Sequence, residues 1–187
     1  MKHIVITGID GTGKSSVIKE LRTKLNVRVV SIWDAIANSA FQSKEEVALH
    51  LLQLTTNDRV RFMSSAYQQS MENSAGEIIL HDAYFYKYFA AELAYGADEE
   101  LVKQEMKKFN IPSKVFRLML PVEECIKRKG EHFTHYECGL KKKSTENYLT
   151  FQKKALKKWE FFNQSDWVEI DASVPVETIV SEILESL

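Results

Sequence analysis

The sequence predicts a three-layer α/β protein, in which a five-stranded parallel sheet lies between helices on both faces. Two observations support this prediction. Short apolar runs rich in Val and Ile alternate with longer amphipathic segments, which is the pattern of a parallel sheet with helical crossovers. The first junction between such a run and a helical segment carries the glycine-rich stretch GIDGTGKSS. Because there is no repeat and no low-complexity linker, we expect a single domain over residues 1–187.

Each predicted element follows from hydrophobic spacing. The five strands are His3 to Ile6, Val27 to Ile32, Ile78 to Leu80, Lys114 to Leu120 and Trp167 to Ile170. The helices cover approximately residues 14–25, 44–73, 84–95, 98–109, 122–129, 145–164 and 175–186. Residues 130–144 have no clear period, and we interpret them either as a mobile loop between two helices or as an ordinary surface connection.

Composition and charge exclude several classes of function. The hydrophobic content of 44% and charged content of 27% are ordinary for a globular chain, and the formal net charge of −1 argues against a general nucleic-acid binder. Cys125 and Cys138 have no metal-like spacing, which fits a reducing compartment. Gly8 and Asp10 interrupt the N-terminal apolar run, which is too short for a signal peptide or a membrane span. We therefore expect a cytoplasmic protein with no nucleic-acid or membrane partner.

The glycine-rich stretch matches the Walker A pattern G-x-x-x-x-G-K-[ST], which binds the phosphates of a nucleoside triphosphate. Its glycines allow the backbone to approach phosphate oxygens, and its lysine and hydroxyl contact the β and γ phosphates and Mg²⁺. A glycine turn without a ligand is the structural alternative. The residues predicted to bind ATP are Gly8, Gly11, Thr12, Gly13, Lys14, Ser15 and Ser16.

A second chemical feature lies at the end of the third predicted strand, EIILHD. Mg²⁺ bound to phosphates commonly takes a nearby carboxylate as well as a hydroxyl, and Asp82 stands where such a carboxylate is expected. We predict that Ser15 and Asp82 hold Mg²⁺. Asp82 could equally cap the helix that follows, and both roles are compatible.

These motifs occur in an order that resembles the thymidylate kinase family over nearly the whole chain. The similarity rests on the acid two residues after the first glycine of GIDGTGKSS, Asn57 to Arg59, Asp82 to Tyr84, Pro121 with the helix ending at Lys127 to Lys129, Tyr136-Glu137, Phe151 to Phe161 and Trp167 to Ser173. The resemblance implies a P-loop kinase fold with a lid at approximately residues 130–144, Mg²⁺-dependent transfer of the ATP γ-phosphoryl group to dTMP, and a homodimer.

The same resemblance implies residue roles. Asp10 would face the sugar hydroxyl of the acceptor, and Arg59 would contact the acceptor phosphate. Asp82 would act near the metal and the attacking phosphate, together with Lys14. Arg128 would close over ATP with the lid, and Ala172 would lie beside the adenine.

The chain departs from the family where members usually carry Asp-Arg-Tyr, because alanine replaces the arginine at position 83. A well-placed arginine contributes orders of magnitude to phosphoryl transfer, so a substitute charge is expected. Lys87, one helical turn beyond Ala83, is one candidate, although it could also be a solvated lysine. The basic lid residues Lys127 to Lys129 and Lys141 to Lys143 are a second source. A different acceptor is the third explanation.

Aromatic residues near the predicted acceptor side also leave alternatives. Trp33 follows the second strand and could stack on a flat acceptor or fill the core. Tyr84, Tyr86 and Tyr88 could form an acceptor pocket or pack the helix against the sheet. We predict an ATP-dependent kinase with dTMP as the default acceptor, and with Trp33, Tyr84 and Lys87 among the residues that contact it. The alternatives are a kinase for another small acceptor and a nucleotide-binding protein without turnover.

Overall fold

The computed structural model describes residues 2–37, 41, 43–72, 78–130 and 132–187. Five strands lie in these residues: β1 (Lys2–Thr7), β2 (Arg28–Val30), β3 (Ile78–Asp82), β4 (Lys114–Met119) and β5 (Trp167–Asp171). They form one parallel sheet in the order β2–β3–β1–β4–β5. Because Ile6 is opposite Asp82 in the register of β1 and β3, the segments that follow these two strands leave the same sheet edge side by side.

The helices that the structure describes are α1 (Lys14–Lys24), α2 (Ile32–Ala37), α3 (Lys44–Gln53), α4 (Thr56–Glu72), α5 (Tyr84–Tyr95), α6 (Glu99–Met106), α7 (Val122–Lys129), α8 (Thr145–Lys157) and α9 (Val176–Glu185). Short 3₁₀ helices cover Tyr136–Cys138 and Lys158–Phe161. Helices cover both faces of the sheet, which confirms the predicted α/β class. None of the helices in the described ranges has the length and apolar character needed to cross a membrane.

The helix predicted over residues 44–73 is wrong as a single element. Leu54, between α3 and α4, is extended with φ −92° and ψ 148°. Thr55 then caps α4, since its Oγ1 accepts a hydrogen bond from the backbone N–H of Asp58 at 3.2 Å. The threonine cap therefore starts a new helix that hydrophobic spacing did not separate from the first. Residue 73 lies outside the described residues.

Two shorter elements were also missed. α2 begins after Ser31, whose backbone N–H donates to Asp34 Oδ2 at 2.8 Å, and the serine–aspartate spacing is that of a helix start. The stretch 130–144 was expected to lack regular structure, but it contains the 3₁₀ turn Tyr136–Cys138. Residue 131 of this stretch lies outside the described residues.

A line of buried polar groups crosses the sheet beneath the site. His81 of β3 is fully buried, with Nε2 2.9 Å from His3 Nδ1 and Nδ1 3.1 Å from Tyr67 Oη. Tyr67 Oη donates to the Val30 carbonyl at 3.2 Å. All of these contacts are satisfied when His3 donates to His81 and His81 donates to Tyr67, which requires one proton on His81. Burial, with a smaller contribution from His3, lowers the pKa of His81 to about 3.

We expect His81 to make stability depend on pH. Its pKa is lower in the folded protein than the ordinary value of 6.5, so the unfolded chain binds more protons between about pH 6.5 and pH 3. The contribution of His81 is therefore fully present above pH 6.5 and is lost as the pH falls. As the pH falls, the free energy of unfolding of His81→Gln should decrease less steeply than that of wild type. The two slopes should differ by up to about 1.4 kcal/mol per pH unit.

Urea denaturation at several pH values measures this slope for wild type and His81→Gln. The matched control is His132→Gln, because His132 is exposed and its loss should leave the wild-type slope unchanged. Equal slopes for wild type and His81→Gln would contradict a buried, neutral His81.

Candidate active site

A cavity of about 830 Å³ lies at the carboxyl edge of the sheet. The segments after β1, β2 and β5 line it, together with the end of β3 and parts of α3, α4, α5 and α7. This edge is where open parallel sheets bind ligands, because successive loops diverge there and leave a crevice.

The glycine-rich loop forms one end of the cavity. Gly8, Gly11 and Gly13 have φ values of 139°, 88° and 96°, which L-residues with a Cβ rarely adopt. A Cβ on Gly11 would lie 2.9 Å from both the Cβ and the carbonyl oxygen of Cys125 in α7. Among the described residues, no side chain caps α1 and no acid lies in its first turn. The N-terminus of α1 therefore offers its amides to an anion.

Lys14 is held at the centre of this loop. Its Nζ donates to the carbonyls of Gly8 at 2.9 Å and Ile9 at 2.7 Å. Burial, and then the charge of Lys87, lowers the pKa of Lys14 to about 8, while Asp10 and Asp82 oppose this shift. A bound polyphosphate would add negative charge beside Lys14 and so favour its protonated form.

Asp10 and Lys87 form an ion pair in the cavity, with Lys87 Nζ 2.6 Å from Asp10 Oδ1. Both side chains are mostly buried, at 17% and 19% exposure. Although burial opposes the charge of Asp10, Lys87 and Lys14 hold its pKa well below the ordinary value. Burial likewise disfavours the charge of Lys87, but Asp10 raises the pKa of Lys87 above its usual range. The structure thus places Lys87 inside the cavity and excludes the alternative of a solvated lysine.

The junction between β3 and α5 sets the direction of Asp82 and Lys87. Ala83 and Tyr84 have φ values of 66° and 53°, and two left-handed residues in succession are costly for L-amino acids. β1 holds the junction, since the Ala83 N–H donates to the Ile6 carbonyl at 2.9 Å. Asp82 lies in the cavity wall before this bend, and Lys87 lies in it one turn after.

The same bend turns Tyr84 into the core. Tyr84 is 0% exposed, and its Oη donates to the Asn110 carbonyl at 2.9 Å. It does not line the cavity, so the prediction that Tyr84 contacts substrate is wrong. Tyr88, one turn later on α5, lines the cavity instead. Tyr86 packs against Phe162 and Trp167, as expected of helix packing.

A group of apolar residues also lines the cavity, and we call it the apolar wall. Its members are Ile32, Trp33, Ile36, Val47, Ala48, Leu51 and Met63. Trp33 is half-buried and contributes to this wall, and its contact with the acceptor stays a prediction. A flat aromatic ligand would lose water-exposed apolar surface here, which favours binding.

Arg59 is not among the residues that line the cavity. It is buried on α4, with Nε 3.0 Å and 2.9 Å from the two carboxylate oxygens of Glu92, and Nη1 donates to the Leu54 carbonyl at 2.8 Å. The prediction that Arg59 contacts the acceptor phosphate is therefore wrong, because Glu92 holds its charge. Glu92 was missed, although a single carboxylate in the apolar run YFAAELAY already indicates a buried partner.

Arg128 connects the glycine-rich loop to the turn after β5. Its Nη2 donates to the Ala172 carbonyl at 2.7 Å, and its Nη1 donates to the Thr12 carbonyl at 3.4 Å. Ala172 is buried and contributes this carbonyl rather than a cavity surface. The neighbouring residues 173–176 and Ile179 line the cavity on this side.

The lid stretch enters the cavity at a few points. Lys129, Thr134, Tyr136 and Glu137 line it, and Lys129 Nζ lies 3.0 Å from Glu137 Oε1. Burial, followed by the charge of Asp10, raises the pKa of Glu137. Of the lid lysines and arginines that sequence analysis named, Arg128 and Lys129 line the cavity.

The other basic residues of that set have surface positions. Lys127 pairs with Glu124 and Lys143 pairs with Glu45, both with substantially exposed side chains. Tyr136 and Glu137 are further cavity residues to which sequence analysis gave no role in the site, whereas Tyr88 and Lys129 were named there as possible site residues.

The donor set fits a magnesium–nucleotide complex. Ser15 and Asp82 line the same cavity as Lys14, and hydroxyl and carboxylate oxygens are ligands that Mg²⁺ prefers. Lys14, Arg128 and Lys129 supply positive charge around the uncapped start of α1. The cavity therefore has charge for phosphates at one end and apolar surface for a ring system at the other.

Comparison with known proteins gives consistent results. No protein-family model matches the chain. A probable thymidylate kinase from Thermococcus kodakarensis is 32% identical over 176 residues, covering 78% of this chain and 82% of the relative. A thymidylate kinase from Brachyspira hyodysenteriae is 28% identical over 197 residues, covering 100% of this chain and 93% of the relative.

Solved structures share the fold. The deoxyadenosine kinase from M. mycoides with bound dATP superposes with a TM-score of 0.66 at 16% identity, covering 98% of both chains. A thymidylate kinase from Candida albicans gives a TM-score of 0.65 at 19% identity, covering 99% of this chain and 90% of the other.

We expect Gly11→Ala to weaken ATP binding by about tenfold or more, because the new Cβ would meet the Cys125 backbone and force the loop out of position. Titration calorimetry with ATP measures this. Gly96→Ala is the matched control, since Gly96 also has a positive φ of 98° but nothing lies within 4 Å of the added carbon. Gly96→Ala should lose stability while binding ATP normally, and equal ATP affinity in both variants would contradict the assigned role of the loop.

Proposed function

The chain belongs to the thymidylate kinase family, and on this premise we propose that it transfers the γ-phosphoryl group of ATP to dTMP, giving ADP and dTDP. One observation carries the proposal. A single cavity is lined both by a phosphate-binding loop that contains Lys14 and by an apolar wall that contains Trp33, and Asp82 and Lys87 line the same cavity. ATP and dTMP can therefore bind in this cavity with their phosphates next to each other, beside these charged side chains.

The donor half holds ATP. The amides at the start of α1 and the Lys14 ammonium bind the β and γ phosphates, and Gly8, Thr12 and Ser16 belong to the same loop. Arg128 fixes the turn at Ala172, so that residues 173–176 present a surface to the adenine. Ser15 and Asp82 would hold Mg²⁺, which would supply positive charge to offset the negative charge of the phosphates.

The acceptor half holds dTMP between the apolar wall and α5. The thymine ring packs against Trp33, and Asp10 accepts a hydrogen bond from the sugar hydroxyl. Lys87 supplies the positive charge for the acceptor phosphate, a role supported by its position in the cavity beside Asp10. Because the ion pair with Asp10 holds Lys87 in the cavity, this charge is already in place before the substrate binds.

The chemical step needs no strong base. The monophosphate of dTMP carries nearly two negative charges at neutral pH, so one of its oxygens can attack the γ-phosphorus directly. The new oxygen–phosphorus bond forms as the bond to the β–γ bridging oxygen breaks, and that electron pair leaves with ADP. Lys14, Lys87 and Lys129 stabilise the charge spread over the transferred group.

We propose that residues 1–187 act as one kinase domain, with the lid at residues 130–144 excluding water from the reaction. Its residues Tyr136 and Glu137 already reach the cavity. A homodimer and a cytoplasmic location are proposed on the family resemblance alone.

The function is tested by measuring ADP release with dTMP, other nucleoside monophosphates and nucleosides as acceptors. We expect dTMP to give the highest kcat/KM, and Lys14→Ala to lose activity by at least about a hundredfold, since its charge stabilises the transition state. Tight ATP binding without transfer to any acceptor would contradict the proposal. Preferred transfer to a nucleoside hydroxyl would also contradict it.

Lys87→Met should lower kcat/KM for dTMP by about a hundredfold, because a transition-state charge is removed, with a smaller loss of ATP affinity because Asp10 loses its partner beside the phosphate loop. Lys87→Arg should recover part of the loss. Lys127→Met is the control, since Lys127 is exposed and pairs with Glu124 outside the cavity. Steady-state kinetics measure this difference. A Lys87→Met enzyme as active as Lys127→Met would contradict the assignment of Lys87 to the acceptor site.

A further inference from the structure

Glu92 is a buried carboxylate that the proposed chemistry does not use. Its side chain is 0% exposed on α5, among apolar residues. The Arg59 Nε donates to both carboxylate oxygens, and the Tyr136 Oη donates to Oε1 at 2.9 Å. Three donated bonds from two separate elements therefore converge on one buried acceptor.

The two donors connect Glu92 to two separate parts of the cavity lining, Tyr136 directly and Arg59 through its contact with the end of α3. Tyr136 lies in the lid, and its ring lines the cavity. Arg59 holds the end of α3 through the Leu54 carbonyl, and α3 contributes Leu51 to the apolar wall. Glu92 is thus the common partner of the lid and of the acceptor wall.

Tyr95, one turn further along α5, strengthens this connection. Its hydroxyl donates to the Tyr136 carbonyl, and its ring lies 4.8 Å from Arg59 Cζ. It also stacks on Phe151 of α8, with ring centroids 4.4 Å apart. The Tyr136 backbone is therefore held by Tyr95, while its hydroxyl is held by Glu92.

We propose that Glu92 is a positioning residue for the acceptor, which fixes the Tyr136 ring at a set distance from the apolar wall. This inference rests on the proposed function, because it takes dTMP as the ligand between these two surfaces. Fixing both walls in advance reduces the ordering that the acceptor must impose when it binds. The contact should therefore act on acceptor affinity and on exclusion of water, with little effect on ATP affinity.

Tyr136→Phe tests this directly, because it keeps the ring in the cavity and removes only the hydroxyl that reaches Glu92. We expect the KM and the dissociation constant for dTMP to rise about tenfold, as for loss of a hydrogen bond to a charged group. The KM for ATP should stay within about twofold. ATP hydrolysis without acceptor should increase relative to transfer, since water enters a less ordered cavity.

The matched control is Tyr86→Phe, which removes the hydroxyl of a buried tyrosine on α5 that packs on Phe162 and Trp167. It should behave as wild type. An unchanged dTMP affinity in Tyr136→Phe, or an equal loss of ATP and dTMP affinity, would overturn the proposal. Titration calorimetry with dTMP alone measures acceptor binding whether or not phosphoryl transfer occurs. It therefore distinguishes a failure of the positioning role from a failure of the proposed reaction.

A pH profile supplies the second readout. Burial raises the pKa of Glu92 to about 7, and the charge of Arg59 and the hydrogen bond from Tyr136 oppose this shift. Tyr95 is a further titratable group that interacts with Glu92 and Arg59. The dTMP affinity of wild type should therefore weaken below about pH 7, beyond the effect of the phosphate's own titration. Glu92→Gln should lack this additional dependence. Identical pH profiles for wild type and Glu92→Gln would contradict a positioning role for Glu92.

Discussion

The cavity depends on the ion pair between Asp10 and Lys87. These residues leave neighbouring strands of the sheet, Asp10 in the loop after β1 and Lys87 in the helix after β3, and their 2.6 Å contact joins the two segments. Each charge lies in a mostly buried position that is unfavourable without the other, since removing one partner leaves an uncompensated charge. The pair thus sets the distance between the phosphate loop and α5, and Lys14 and Asp82 line the same cavity.

The backbone at Ala83 and Tyr84 makes this pair possible. Two left-handed residues bend the chain between β3 and α5, and hydrogen bonds with Ile6 and Thr7 of β1 hold this strained segment in place. α5 then starts at an angle that brings its fourth residue, Lys87, into the cavity. The alanine at the bend carries no charge, and Lys87, one helical turn further along, places a positive charge in the cavity. In the proposed function this charge takes the place of the arginine that thymidylate kinases usually carry at position 83.

The parts of the molecule that depend on local pattern could be predicted from the sequence. Strand–helix alternation indicated the parallel sheet, and the spacing from Gly8 to Ser15 indicated the phosphate loop, because each pattern depends on residues that are close together in the sequence. Arg59 was misassigned because its partner, Glu92, is 33 positions away on another helix. Tyr84 was misassigned because the left-handed bend that turns it into the core has no signature in its own residue type.

The central claim is that Lys87 meets the acceptor phosphate in a cavity shared with ATP. A crystal structure with ADP and dTMP bound together would test this most directly. We expect the dTMP phosphate within hydrogen-bonding distance of the Lys87 ammonium, with the thymine ring against Trp33 and the ADP phosphates on the loop around Lys14. A dTMP phosphate bound elsewhere, with Lys87 still paired only to Asp10, would contradict the account.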